Sequence, residues 1–99
     1  MARWRLSRRA EEDLEAVWLY GAERFGVDQA NRMLDRFEAE FRRLAGQPRS
    51  GRQRDEIKPG LRSVPLENYL ILYRIVSPGI RIIRVWDGRQ NPSRLAREI

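Results

Sequence analysis

A chain of 99 residues is one domain with room for a single core, burying roughly 60 to 65% of the surface its unfolded chain exposes. It has no cysteine and no histidine, which excludes disulfides, thiolate chemistry and Cys-based zinc sites, removes the commonest acid/base catalyst, and leaves only oxygen ligands for any metal. The net charge of +6 belongs to the second half: residues 1 to 46 hold nine arginines against nine carboxylates, and residues 47 to 99 hold ten arginines and one lysine against five carboxylates.

That partition points to an acidic partner, nucleic acid or an acidic protein segment; the bland alternative is a coding bias that favours arginine over lysine. Met1-Ala2-Arg3-Trp4-Arg5-Leu6 lacks the apolar core of a signal peptide, and no run approaches the roughly 18 apolar residues of a membrane span, so a cytoplasmic domain without membrane contact is expected. Residues 2 to 6 alternate as a short half-buried strand does, with Trp4 and Leu6 opposite Arg3 and Arg5. Ser7 then stands at an N-cap position, and Glu11, Glu12 and Asp13 follow where negative charge favours a helix start. Ala10, Leu14, Val17, Trp18, Gly21 and Phe25 recur at spacings of three and four, predicting an amphipathic helix that ends near Gly26.

Asp28 is the expected cap of a second helix, whose stripe is Ala30, Met33, Leu34, Phe37, Phe41 and Leu44 and whose stop is Gly46 with Pro48. So short a connection makes the two helices an antiparallel hairpin, with Trp18, Phe25, Phe37 and Phe41 as core and packing residues. Residues 47 to 60 have no apolar period and read as a basic loop. Leu61 to Pro65 is a short strand, Glu67-Asn68 a hairpin turn, and Tyr69 to Val76 a strand with Tyr69, Ile71, Tyr73 and Ile75 on one face and Leu70, Leu72, Arg74 and Val76 on the other. Ser77-Pro78-Gly79 closes a second hairpin. Ile80 to Trp86 then reads as Ile80, Ile82, Arg84 and Trp86 on one side and Arg81, Ile83 and Val85 on the other, apolar enough on both for a central strand covered on both faces. Residues 91 to 99 offer an optional short helix, capped by Asn91 or Ser93 and carrying Leu95 and Ile99. The expected class is α+β: an N-terminal strand and an antiparallel helical hairpin packed on an antiparallel sheet, order β-α-α-β-β-β, in a single domain over 1 to 99.

No standard catalytic constellation is present, and no metal or other cofactor is expected. A serine nucleophile has no histidine to activate it and Lys58 is the only lysine; Asp87 stands alone among arginines, and the isolated glycines make no phosphate loop. The arginines are the better candidates. Arg62, Arg74, Arg84 and Arg89 would gather if their strands are neighbours, and the guanidinium fork suits phosphate or carboxylate. Arg74 and Arg84 each interrupt an apolar face and need a partner, either an external anion or an internal carboxylate such as Glu67, Asp87 or one on a helix. Trp86 suits base stacking or a protein hot spot, and equally the core. Tyr69 and Tyr73 read as packing residues.

Taken together, Leu6-Ser7-Arg8-Arg9-Ala10-Glu11-Glu12-Asp13-Leu14, Trp18-Leu19-Tyr20, Phe25-Gly26, Ala30, Leu44-Ala45, Pro48, Gly51, Leu61-Arg62-Ser63, Tyr69, Tyr73-Arg74 and Ile82-Ile83-Arg84-Val85 resemble the ParE branch of the RelE/ParE toxin superfamily over nearly the whole chain. The resemblance implies a toxin of a bacterial type II toxin-antitoxin module, held inactive by a cognate antitoxin whose C-terminal segment wraps across it. It implies either poisoning of DNA gyrase, as in ParE members, or cutting of messenger RNA on the ribosome, as in RelE members.

RNA cleavage needs a base, an acid and cations. The RelE-like pattern puts an arginine after the last strand, which Arg89 fits, and a tyrosine soon after, where this chain has Arg94 and Leu95. Arg52, Arg54 and Lys58 resemble the family's phosphate-contacting loop. Asp87 stands near the position where ParE members more usually carry histidine. The resulting expectation is a non-enzymatic gyrase inhibitor, contacting its target or phosphate through Arg62, Arg74, Arg84, Trp86 and Arg89 with loop contacts from Arg52, Arg54 and Lys58, and meeting nucleic acid through the target complex. The alternatives are a ribosome-dependent mRNA endonuclease and a non-toxic nucleic-acid-binding module.

Overall fold

A computed structural model of the chain describes residues 3–99. The elements are β1 (Trp4–Leu6), α1 (Arg8–Phe25), α2 (Val27–Gly46), β2 (Arg52–Gln53), β3 (Leu61–Leu66), β4 (Tyr69–Val76), β5 (Gly79–Asp87) and α3 (Pro92–Glu98). The strands form one sheet in the order β1-β5-β4-β3-β2. The α+β order expected from the sequence is therefore present. Two refinements follow from pairing that no local pattern encodes. The first strand runs parallel to the last, making the sheet mixed, and the basic loop contains β2, whose two residues pair with Ser63 and Arg62.

Ser7 sets the start of α1 and the attachment of that helix to the sheet. Its Oγ accepts the Ala10 N–H at 3.0 Å and donates to the Ile83 carbonyl at 2.7 Å, while its N–H donates to the Ile82 carbonyl at 2.9 Å. One buried serine thus satisfies an orphan helix donor and continues the β1–β5 ladder. At the other end Gly26, at φ 94°, closes α1 and opens α2. Its N–H donates to Ala22 and its carbonyl accepts from Ala30. The expected cap Asp28 instead lies in the first turn of α2, where no side chain caps the helix; the left-handed glycine turns the chain earlier, leaving Asp28 to favour the helix dipole.

One face of the sheet carries the hairpin. Phe37, Phe41 and Leu44 of α2 and Val17 of α1 bury against Val64, Ile71, Tyr73, Ile80, Ile82 and Val85. Trp4 packs on Phe41 with ring centroids 5.3 Å apart, and Phe37 meets Tyr69 edge-on at 5.6 Å, the offset geometries that aromatic quadrupoles favour. Phe25, read as a packing residue, is 68% exposed, because α1 ends there, beyond the reach of the sheet. The far face carries a smaller cluster of Leu61, Leu72, Trp86 and Leu95, flanked by Ile57, Leu70, Ile83 and Ile99. The optional helix is therefore real, and Leu95 docks it. The Ser93 side chain and Ala2 lie outside the described residues.

The face assignment of β5 is corrected by a bulge. Leu72 pairs with Arg84 but Tyr73 pairs with Ile82, leaving Ile83 as the extra residue. Ile80, Ile82 and Val85 consequently face the hairpin, and Arg81, Arg84 and Trp86 face away. In β3, Pro65 lies past the two residues that pair with β2, so its missing N–H removes nothing from that ladder. Among the described residues no helix is long and apolar enough to cross a membrane.

Candidate functional site

The four sheet arginines do not converge, because strand register sends them to different places and each already has partners. Arg62 pairs with Tyr73 and so lies on the hairpin face, where its Nη1 donates to the carbonyls of Arg49 at 3.0 Å and Gly51 at 2.8 Å. It clamps the loop after α2. Tyr73 does the same from beneath: its buried hydroxyl accepts the Gly51 N–H at 2.9 Å and donates to the Pro48 carbonyl at 2.8 Å. Arg74 lies on the far face opposite Leu61 and Arg81, with Nη1 donating to the Pro59 carbonyl at 2.7 Å.

Arg84 is the most committed of the set, with only 7% of its surface exposed. Its Nε and Nη2 form a two-pronged bond to Asp13 of α1 at 2.8 and 3.0 Å, and its Nη1 reaches Glu98 of α3 at 3.3 Å. The Asp13 carboxylate also accepts the Val85 N–H at 2.9 Å, a donor with no ladder partner because β1 pairs only as far as Ile82. The Asp13 hydrogen bonds raise the Arg84 pKa despite the opposing effect of burial. One guanidinium thus ties a helix on one face of the sheet to a helix on the other. The ring of Trp86 lies 5.3 Å from the Arg84 guanidinium. Trp86 itself is a buried core residue of the far face, and among the described residues its indole N–H has no hydrogen-bond partner.

Arg89 is exposed and folds back on Asp87, with bonds of 3.1 and 2.9 Å from its side chain and 3.0 Å from its backbone N–H. The Arg89 side-chain bond holds the Asp87 carboxyl below its ordinary value. Arg89 is raised in turn, first by Asp87 and then by Tyr20. Nearby Tyr69 is pushed up, first by burial and then by the Asp87 charge. Among the expected loop contacts, Arg54 donates to Ser63 Oγ at 2.8 Å, Lys58 donates to the Ile99 carbonyl at 2.8 Å, and Arg52 is exposed on β2.

Two apolar grooves flank the hairpin, and their rims carry opposite charge. One, of about 460 Å³, is lined by Trp4, Leu6, Leu14, Trp18, Leu34 and Phe41 together with Glu15 and Glu38. The other, of about 450 Å³, is lined by Val17, Tyr20, Gly21, Phe25, Met33 and Tyr69 together with Arg32, Arg36 and Glu67, so its rim has one more basic than acidic residue. Arg36 is ion-paired to Glu67 at the β3–β4 turn, and Arg32 is hydrogen-bonded to Gln29. Sequence reading expects an antitoxin groove between hairpin and sheet but names no residue as lining the second one. Its signal is the pair of arginines set among the apolar stripe of α2, which a one-dimensional pattern reads as solvated surface.

The model of the family described as ParE toxin of type II toxin-antitoxin system, parDE, matches residues 4–92. The chain is 38% identical over 85 residues to Toxin ParE3 of Caulobacter vibrioides, covering 86% of this chain and 85% of that protein. It is 36% identical over 94 residues to Toxin ParE1 of Mycobacterium tuberculosis, covering 94% and 96%. A solved structure described as the chromosomal ParDE TA system from P. aeruginosa shares the fold, with a TM-score of 0.75, 22% identity, and coverage of 88% of this chain and 96% of that one.

Proposed function

The chain belongs to the ParE toxin family of type II toxin-antitoxin systems, and from that premise we propose that it acts in the cytoplasm by binding and inhibiting DNA gyrase, and is neutralised by a cognate antitoxin. The observation that carries binding over bond chemistry is the fate of the arginines. Arg89, in the position after the last strand where the RelE resemblance puts a phosphate arginine, is occupied by Asp87, and Arg84 by Asp13 and Glu98. Tyr73 is spent on the loop backbone. A 2′-hydroxyl brought to the end of β5 would meet Asp87 already paired with Arg89.

In this reading Arg52 and Lys58 on the exposed surface meet gyrase or its DNA, while Arg89 stays paired with Asp87 and shapes the end of β5. Arg62 and Arg74 hold the loops that present Arg52 and Lys58. Arg84 and Trp86 contribute by fixing α3 and the end of β5. The antitoxin segment is acidic and apolar, and it lies in the groove rimmed by Arg32 and Arg36, with Phe25 as an exposed anchor; the other groove carries Glu15 and Glu38, which repel such a segment. Replacing Phe25 with Asp lowers antitoxin affinity by about tenfold or more, the scale of a lost aromatic anchor, with thermal stability unchanged.

The test is supercoiling by purified gyrase, run beside primer-extension mapping of cellular mRNA after expression. Supercoiling is inhibited and the inhibition is relieved by the antitoxin, while transcripts stay intact. Ribosome-dependent cleavage with unaffected gyrase would overturn the proposal in favour of an endonuclease. Absence of any growth defect on expression alone would point to a non-toxic binding module.

A further inference from the structure

A second arginine set lies where β1, β5 and β4 run side by side. Arg5 pairs with Arg81, and Arg81 pairs with Arg74, so three guanidinium side chains project from adjacent strands on the far face at roughly 4.8 Å strand spacing. Arg3, two residues before Arg5, extends the row. Among the described residues no ion pair involves Arg3, Arg5, Arg74 or Arg81. Like charges directly opposite in a sheet repel, whereas the arginines nearest the hairpin and α3, Arg36, Arg84 and Arg89, are tied to Glu67, Asp13, Glu98 and Asp87. Here the fold supplies no counter-charge.

The backbone draws the two strands close together at the same place. A Cβ on Gly79 would collide with the Arg3 carbonyl oxygen, so β1 approaches β5 over a bare backbone. Beside this contact is a depression of about 550 Å³ lined by Arg3, Arg5 and Arg81, by Leu6 and Ile80, and by the β4–β5 turn from Val76 to Gly79. Of its long aliphatic members Ile80 is buried and Leu6 half-buried, and no aromatic residue lines it, which leaves a peptide little to anchor on. The available chemistry is the arginine fork, which matches phosphate oxygens.

We propose that the row of Arg5, Arg81 and Arg74, with Arg3, is a contact surface for the phosphate backbone of double-stranded DNA. It stands apart from the antitoxin groove and from Arg89, and it requires no gyrase. With no group placed to read base edges, binding is independent of sequence and strongly dependent on salt.

The experiment measures binding of the full-length chain, free of antitoxin, to a fluorescent mixed-sequence duplex by anisotropy over a salt series. The wild type is compared with the Arg5→Glu/Arg81→Glu double variant and with Arg42→Glu, which changes a charge on the solvent face of α2. Circular dichroism and thermal melting establish that each variant is folded. The double variant loses about tenfold or more in affinity, and its log K against log salt slope becomes shallower by about 2, since each phosphate that is no longer neutralised accounts for about 0.9. Arg42→Glu leaves the slope unchanged. Equal effects of the two variants would reduce the binding to net charge and overturn the proposal. Binding of a poly-glutamate peptide through Arg5 and Arg81, with no binding of DNA, would overturn it in favour of an acidic protein partner. A gyrase test that fails while this one succeeds leaves the DNA surface standing.

Discussion

On the hairpin face of the sheet, Phe37, Phe41 and Leu44 close over Ile71, Tyr73 and Ile82; on the far face a cluster around Leu72, Trp86 and Leu95 sits beneath α3, and a row of arginines without carboxylates lies beyond it. Arg81 and Arg84 make the contrast sharpest. They belong to one strand and one face, and the bulge at Ile83 separates them. Arg84 lies under cover and is satisfied by Asp13 and Glu98. Arg81 lies past the cover and is left with solvent. What an arginine does here is decided by what packs over it.

Replacing each arginine in turn tests that contrast. Arg84→Met leaves the Asp13 carboxylate without its cation in a partly buried setting, and the loss is about 3 kcal/mol, the lower end for breaking a buried pair, because the Val85 N–H still reaches Asp13. Arg81→Met changes stability by no more than about 0.5 kcal/mol. Urea unfolding of the two variants reads the difference directly, and equal losses would erase the distinction between them.

Within the hairpin face, Gly51→Ala drives a methyl carbon into the Tyr73 hydroxyl, displacing the ring that holds Pro48 and Gly51. The cost is about 2 kcal/mol, in the range of overpacked cores, with a matching drop in melting temperature. Ser7→Ala, at the seam between α1 and the β5 bulge, loses one helix cap and one tie to the sheet, and costs about 1 kcal/mol. Its measurable sign is faster amide exchange in the first turn of α1.

The smallest effect is at the exposed end of β5. Asp87 has a folded-state pKa below its unfolded value because of Arg89, so its contribution is fully present above the ordinary carboxylate range and is lost as pH falls through the depressed value. Asp87→Asn therefore lowers stability slightly at neutral pH, leaves it unchanged below the depressed value, and so flattens the acid limb of the stability curve. A steeper acid limb in the variant would contradict the assignment.

Most of the architecture is legible in the sequence because the helices are amphipathic and β4 alternates cleanly. Ser7, the hairpin around Gly26 and the Tyr69 to Val76 faces can all be read from local pattern, and the last helix only as an option that the docking of Leu95 decides. The bulge cannot. A period of two carried through Ile83 puts Arg84 and Trp86 with Ile80 and Ile82, and what shifts them is tertiary: Ser7 takes the carbonyls of Ile82 and Ile83, and Asp13 takes the Val85 N–H. For the same reason the candidate arginines are visible as a set and illegible as places. Arg5 and Arg81 carry no local signal, since only the parallel pairing of β1 with β5 sets them side by side.

The most direct test of action by binding is a titration of gyrase supercoiling with the full-length toxin at several incubation times. Inhibition should saturate near equimolar toxin, stay constant with time and be reversed by added antitoxin. Inhibition that keeps growing with time at toxin concentrations far below that of gyrase would mean turnover, and would contradict it.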